Sequence, residues 1–269
     1  MMEKYSVLMS LYEKEHPEYL RLAIDSMLNQ TIPPDEIVMV EDGPLTDELY
    51  AVLDEYPMLH RVKSETNLGL GLALNAGLCE CRNELVARMD TDDISNPDRC
   101  EKQLAYFEKH PNVTILGSQI DEFVGTVDNI IGRRVVPETD SALKTYMKRR
   151  CPFNHMTVMF RKADILKVGN YQDWFLNEDY YLWIRLALAN KKFANLSETL
   201  VKVRTGVDMY QRRGGKRYFE SEREIQKLLL DKDINGHVRY CINVWERFVL
   251  QVLMPDWLRG VVFRILARE

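Results

Sequence analysis

Short apolar runs and helical periodicities alternate along the first half of the chain. Residues 5–9 (YSVLM) form an apolar run bounded by polar residues, which predicts a buried strand. Leu20, Ile24, Met27 and Leu28 then recur on one helical face, and residues 31–35, with Pro33 and Pro34, end that helix. Residues 36–40 (EIVMV) predict a second buried strand, which stops at Glu41-Asp42-Gly43-Pro44. A helix over 47–55, a strand over 60–63 and a helix from Asn67-Leu68-Gly69 through Leu78 follow. Residues 84–89 (ELVARM) predict a strand stopping at Asp90-Thr91-Asp92-Asp93, then come a helix over 98–109 and a strand over 113–117.

Strands separated by helix-length segments imply crossover connections and a mostly parallel α/β sheet. In such sheets ligands bind beyond the carboxyl ends of the strands. Three polar clusters fall at those ends: Ser10-Leu11-Tyr12, Glu41-Asp42-Gly43 and Asp90-Thr91-Asp92-Asp93. The second half is less regular. Residues 123–137 read as strands with turns at Gly125 and Gly132, 141–149 as helix and 156–160 as a short strand. A strong helix is expected over 179–189, a strand over 200–204, and helices over 219–231 and 238–253. No internal repeat is seen.

Composition narrows the class. The 269 residues are 46% hydrophobic and 29% charged, which suits a folded chain of one domain or one and a half. The net charge of −5 disfavours a general nucleic-acid binder, although basic stretches stand at 148–150 and 211–217. Cys79, Cys81, Cys100, Cys151 and Cys241 have no zinc-site spacing and read as reduced thiols of a cytosolic protein. No signal peptide and no apolar stretch of membrane-spanning length is found, so secretion and integral membrane topology are not expected. No G-x-G-x-x-G follows the first strand, which excludes a Rossmann dehydrogenase.

The sharpest chemical feature is Asp90-Thr91-Asp92-Asp93. Three carboxylates within four residues repel one another unless a cation lies between them. Carboxylate oxygens suit Mg²⁺ or Mn²⁺, and such an ion can neutralise a departing diphosphate. A solvated acidic turn leading into the next helix is the other use of the same residues. Asp98 belongs to that helix start.

These segments together resemble a family 2 glycosyltransferase of the GT-A fold. The likeness is carried by SVLMSLY, EIVMVEDGP, NLGLGLALNAG, ARMDTDD and NEDYYLWIRL, in that order, over residues 5–215. The nearest subgroup builds bacterial capsule, exopolysaccharide or O-antigen repeat units. The resemblance implies a Rossmann-like mixed sheet flanked by helices. It implies a GT-A domain over 1–218, with a donor half (1–120) and an acceptor half (121–218), and a C-terminal helical extension over 219–269.

The resemblance also assigns roles. Ser10, Tyr12 and Glu13 would border the nucleotide, with Tyr12 stacked on uracil and Asp42 accepting from the base N3–H. Asn67 and Gly69 would open the helix beside the nucleotide; a helix cap and a tight turn explain them equally well. Asp90 and Asp92 would meet ribose and metal, with Asp93 beside them as a third candidate ligand. In Glu178-Asp179, Asp179 would be the general base and the anomeric centre would invert. From the residues alone the two acids also suit a helix N-terminus. His155 would lie near the acceptor or the diphosphate, and Arg212 in the 211–217 loop would clamp a phosphate.

The processive synthases' Gln-x-x-Arg-Trp is replaced by Gln211-Arg212-Arg213-Gly214-Gly215, without tryptophan, so addition of a single sugar is expected. The implied donor is a UDP-sugar, UDP-galactose first and UDP-glucose second. The implied acceptor is a polyprenyl-diphosphate-linked sugar, met by a protein peripheral on the cytoplasmic face of the inner membrane. Leu258, Val261, Val262, Ile265 and Leu266 share one helical face, with Arg259, Arg264 and Arg268 beside it, which suits a membrane interface, with packing on the domain core or a homodimer seam as the other uses. A nucleotidyltransferase would need a Gly-rich loop with a basic residue after the first strand, where Ser10-Leu11-Tyr12-Glu13 stands. A non-catalytic homologue would have lost the acids or the base, and both are present.

Overall fold

The computed structural model describes residues 3–206 and 214–254. In chain order it contains β1 (Tyr5–Leu11), α1 (Pro17–Leu28), β2 (Glu36–Glu41), α2 (Asp47–Asp54), β3 (His60–Lys63) and α3 (Leu70–Glu80). Next come β4 (Leu85–Arg88), β5 (Ile94–Ser95), α4 (Arg99–Lys109), β6 (Val113–Phe123), β7 (Ile130–Arg134) and α5 (Asp140–Met147). The chain continues with β8 (Met159–Arg161), α6 (Lys162–Lys167), α7 (Glu178–Leu188), β9 (Lys192–Arg204), α8 (Lys216–Asp231) and α9 (His237–Phe248).

The nine strands form one sheet in the order β3-β2-β1-β4-β8-β6-β9-β5, with β7 paired to β6. Side chains alternate between its faces. Tyr5, Val7, Met9 and Leu11 of β1 enter one core with α1, α2 and α4, whereas Leu8 enters the other with α3, α5, α7 and α8. Ile37 and Met39 of β2 follow the first set, Val38 and Val40 the second. Burial on both faces is why these strands read as mostly apolar runs. The α/β sheet flanked by helices agrees with the fold implied by the resemblance.

Several local expectations are corrected. The sheet is mixed rather than mostly parallel: β4–β8, β6–β8, β6–β7 and β5–β9 are antiparallel. Gly132 makes no turn; it lies within β7 opposite Glu122, and the turn falls at Gly125 with φ +72°. The strand expected over 156–160 starts later, because His155–Thr157 forms a 3-10 turn before Met159–Arg161. The boundary expected at 218/219 falls inside α8, whose Ile225 and Leu229 are fully buried. Residues 207–213, including Arg212, and the apolar face over 258–266 lie outside the described residues. Among the described residues, no helix is long and apolar enough to cross a membrane.

Candidate active site

The sheet order runs outward from β1 to β2 and β3 on one side and to β4 on the other. Strand order therefore reverses beside β1, and the carboxyl ends of β1, β2 and β4 meet at that switch point, where ligands bind in such sheets. The loop after β2 lies on one side of it. Gly43 takes φ +88°, and a Cβ there would stand 2.8 Å from the backbone nitrogen of Asn67. Only glycine allows this turn to approach the 66–67 backbone. The approach lets Asp42, itself buried, accept from the N–H of Leu68 (2.6 Å) and of Gly69 (3.1 Å). Asn67 Nδ2 donates back to the Asp42 carbonyl at 3.2 Å. Gly43→Ala is expected to destabilise the protein by about 2–4 kcal/mol, from strain and displacement of this loop. Denaturant unfolding checks this, and an unchanged midpoint would show that the loop yields freely.

The loop after β4 carries the acids. Ligand oxygens of Asp90, Asp92 and Asp93 all lie within 4.8 Å of one another. Asp93 is buried and accepts from the Arg204 backbone N–H at 2.9 Å, where β9 ends. Arg204 Nε donates to the Asp92 carbonyl at 3.2 Å, and its guanidinium lies 3.6 Å from the Tyr19 ring centroid. Thr91 ties this loop to the one after β1, donating to Glu15 at 2.6 Å. Burial, then Asp90 and Glu15, push the Asp92 carboxyl up to about 7. Burial, then Asp92 and Asp90, push Asp93 well above the carboxylate range.

One cation faces these acids from inside. Arg88, at the end of β4, is buried and pairs with Asp90. Its Nε and Nη1 are buried without a hydrogen-bond partner. Burial opposes its charge, but Asp90 and then Tyr171 and Asp93 outweigh that and hold it above its ordinary value. Among the described residues Arg88 alone forms an ion pair with the triad, and one guanidinium cannot balance three carboxylates. The all-oxygen, mutually repelling donor set fits a hard divalent cation.

A second acidic pair opens α7. Glu178 packs against the first turn of α3: a Cβ on Gly71 would lie 3.0 Å from Glu178 Cβ. Asp179 Oδ1 accepts from the Tyr180 N–H at 2.6 Å, and the Cys151 thiol donates to Oδ2 at 3.3 Å. Burial and then Asp179 push Glu178 up to about 7, and Asp90 adds to the rise. Burial raises Asp179 too, against the Tyr180 and Cys151 hydrogen bonds. Asp90 and Arg88 both act on Glu178, so the two acidic groups share one electrostatic region. His155 shares a 2.8 Å hydrogen bond with the Tyr171 hydroxyl, and burial, then Arg88, hold it well below 6.5, uncharged at neutral pH.

Glu178 is pushed up to about 7 and Asp179 is raised above its ordinary value, which gives a pH prediction. If Asp179 must be ionised to take a proton, the turnover rate rises about tenfold per pH unit until its raised pKa is passed and then levels. Stability changes the other way. The folded protein holds the Glu178 proton between 4.5 and about 7, where the unfolded chain releases it, so this group lowers stability as pH rises through that window. A pH–rate profile flat across the window would remove the pair from the chemistry.

The residues expected from the sequence divide in two. Asp42, Asn67, Asp90, Asp92 and Asp93 sit at the sheet's carboxyl edge, and Glu178, Asp179 and His155 stand on its Arg88 side. Ser10 and Tyr12 lie at the end of β1 and just after it, partly buried, whereas Glu13 is exposed. Asp42 has both oxygens engaged by the N–H groups of Leu68 and Gly69, in the loop after β3, although each retains a further lone pair. Arg88, Glu15, Cys151 and Arg204 were not anticipated. Arg88 had a visible signal: it is the one charge inside the run LVARM.

The mixed sheet thus carries a clustered Asp triad at the carboxyl edge, beside the point where strand order reverses. Residues 6–168 match the description Glycosyl transferase family 2, and the chain belongs to that family. An uncharacterized glycosyltransferase of Haemophilus influenzae is 45% identical over 95% of this chain and 96% of its own length. The amylovoran biosynthesis glycosyltransferase AmsE of Erwinia amylovora is 42% identical over 93% and 94%. The UDP-Gal:alpha-D-GlcNAc-diphosphoundecaprenol beta-1,3-galactosyltransferase of Escherichia coli is 36% identical over 99% and 97%. Among solved structures, S. aureus TarS 1-349 in complex with UDP-GlcNAc superposes with a TM-score of 0.65 at 21% identity, over 99% of this chain and 82% of that one. That likeness concerns the fold.

Proposed function

We propose that this chain transfers one sugar from a UDP-sugar to a lipid-diphosphate-linked acceptor in bacterial surface polysaccharide synthesis, with inversion at the anomeric carbon. UDP-galactose is the first donor and UDP-glucose the second. The observation that carries the reading is the meeting of the Asp90, Asp92, Asp93 triad with the Glu178–Asp179 pair around Arg88. The E. coli galactosyltransferase relative supports the choice of donor and acceptor.

In this proposal Ser10, Tyr12, Glu13 and Asp42 border the base, and Asn67 and Gly69 hold the neighbouring helix start. Asp90, Asp92 and Asp93 hold Mn²⁺ or Mg²⁺, which when bound supplies positive charge for the departing diphosphate. Asp179 takes the proton from the acceptor hydroxyl. The hydroxyl oxygen bonds to the anomeric carbon as the bond to the diphosphate oxygen breaks, and that oxygen keeps the electron pair. The base stands on the face opposite the leaving group, so configuration inverts. Tyr180 and Cys151 orient the Asp179 carboxylate, Arg88 keeps the paired acids from repelling apart, and His155 is an uncharged polar group beside the acceptor or diphosphate. Arg212 is reserved for a phosphate, and the 258–266 face for the membrane.

A panel of UDP- and GDP-sugars with Mn²⁺ and a GlcNAc-diphosphate-lipid analogue tests the proposal. Transfer from UDP-galactose, with a β-linked product from the α-linked donor, is expected. Transfer only from GDP-sugars, a retained configuration, or nucleotidyl transfer to a sugar phosphate would overturn it.

A further inference from the structure

Helix α9 has its polarity reversed. Its buried side consists of Asn243 and Arg247, continued by Gln251 in the following π-helical turn. Asn243 Nδ2 donates to the Lys148 carbonyl at 2.9 Å and to Gln226 Oε1 at 2.7 Å. Arg247 pairs with the buried Glu222 and donates to the Arg149 carbonyl. Its outer side is apolar: Val238 is 75% exposed, Ile242 47% and Trp245 63%, spaced four and three residues apart along one face. Val252 and Leu253 extend that exposed surface. A helix on a water-facing surface normally presents the opposite arrangement. Beside it lies a cavity of about 350 Å³ lined by Lys148, Arg149, Arg150 and Arg239, with Thr145 and Tyr146. Arg149 is paired with Glu246. The cationic cluster stands out in a chain of net charge −5.

We propose that this face docks on an anionic phospholipid bilayer, with Val238, Ile242 and Trp245 at the acyl boundary and lipid phosphates in the basic cavity. Charge decides the occupant. An apolar stripe rimmed by cations complements a negatively charged bilayer. A second copy joined through the same stripe would set the same cationic rim against itself. The position suits the proposed reaction, on whose lipid-linked acceptor this inference rests. Arg150 directly precedes Cys151, whose thiol meets Asp179, so the docked face adjoins the side of the site where an acceptor would enter.

The full chain is tested by flotation with phosphatidylcholine vesicles, with and without phosphatidylglycerol. Binding only to the anionic vesicles is expected. Val238→Ser/Ile242→Ser should weaken it by more than about tenfold. Lys148→Gln/Arg239→Gln should weaken it about twenty-five-fold, near fivefold per charge. Both variants should keep the wild-type melting temperature and the wild-type UDP-sugar turnover on a short soluble acceptor. Failure of UDP-sugar turnover in the wild type would fault the enzymatic reading, whereas vesicle binding judges the surface separately. The surface is refuted if both variants bind as the wild type does, including the case where only removal of residues after Met254 abolishes binding. It is also refuted if the wild type is a dimer that the stripe variant splits and neither form binds vesicles.

Discussion

Asp92→Ala abolishes sugar transfer, a loss of at least about 10³-fold, without weakening the unliganded fold. The two halves of this expectation have one cause. Burial with Asp90 and Glu15 holds the Asp92 carboxyl near 7, far above its ordinary 3.8. The folded protein therefore binds this proton where the unfolded chain does not, and stability falls as pH rises from about 4 to about 7. Removing the carboxylate removes that slope, so the variant should melt no lower than the wild type at pH 7.5. Mn²⁺ should raise the melting temperature of the wild type and not that of Asp92→Ala, because binding to the folded state alone stabilises it. Thermal melts with and without Mn²⁺, alongside turnover, measure all three effects. Near-native turnover in the variant with EDTA present would end the metal proposal.

Asp179→Asn cuts transfer by roughly 10²–10⁴-fold, the usual worth of a positioned base, and leaves donor affinity nearly unchanged. The amide oxygen still accepts from the Tyr180 N–H, and the NH2 that replaces Oδ2 can donate to the Cys151 sulfur, so the start of α7 keeps its geometry. What it loses is the capacity to take a proton. Calorimetric titration with UDP-sugar separates this outcome from a structural one. Equal losses of donor binding and transfer would make Asp179 a helix-start residue only.

The strands that carry the site were legible because both of their faces are buried. YSVLM, IVMV and LVARM are mostly apolar runs, broken only by Ser6 and Arg88, and an acidic or polar cluster ends each. The elements that escaped lack such a pattern. Two-residue β5 is too short to show a period, and α6 (KADILK) holds one fully buried residue, Ile165. Gly132 suggested a turn, yet the pairing of β7 with β6 accepts a glycine. The helix over 238–253 was expected, but its orientation was not. Periodicity shows that α9 has two faces without saying which one turns inward. There the buried polar groups answer partners distant in sequence, Lys148 and Glu222. Arg88 has the same character: its type was visible, while its place between two acidic groups depends on β8 and α7 packing beside β4.

The length of β6 bears on how the protein is made. Val113–Phe123 pairs with β9 in parallel, from Val113 opposite Lys192 to Phe123 opposite Arg204, so its partner leaves the ribosome much later than it does. Asp93 waits longer still, since its hydrogen bond to Arg204 spans 111 residues. A nascent chain that has released only the first 120 residues carries all three acids of the triad, yet lacks β8 and β9 and exposes the edges of β4 and β6. Such edges invite pairing between unfinished chains. The first 120 residues are therefore a poor candidate for separate expression. During translation the Asp93 hydrogen bond that ties down the acidic loop forms only after Arg204 has emerged.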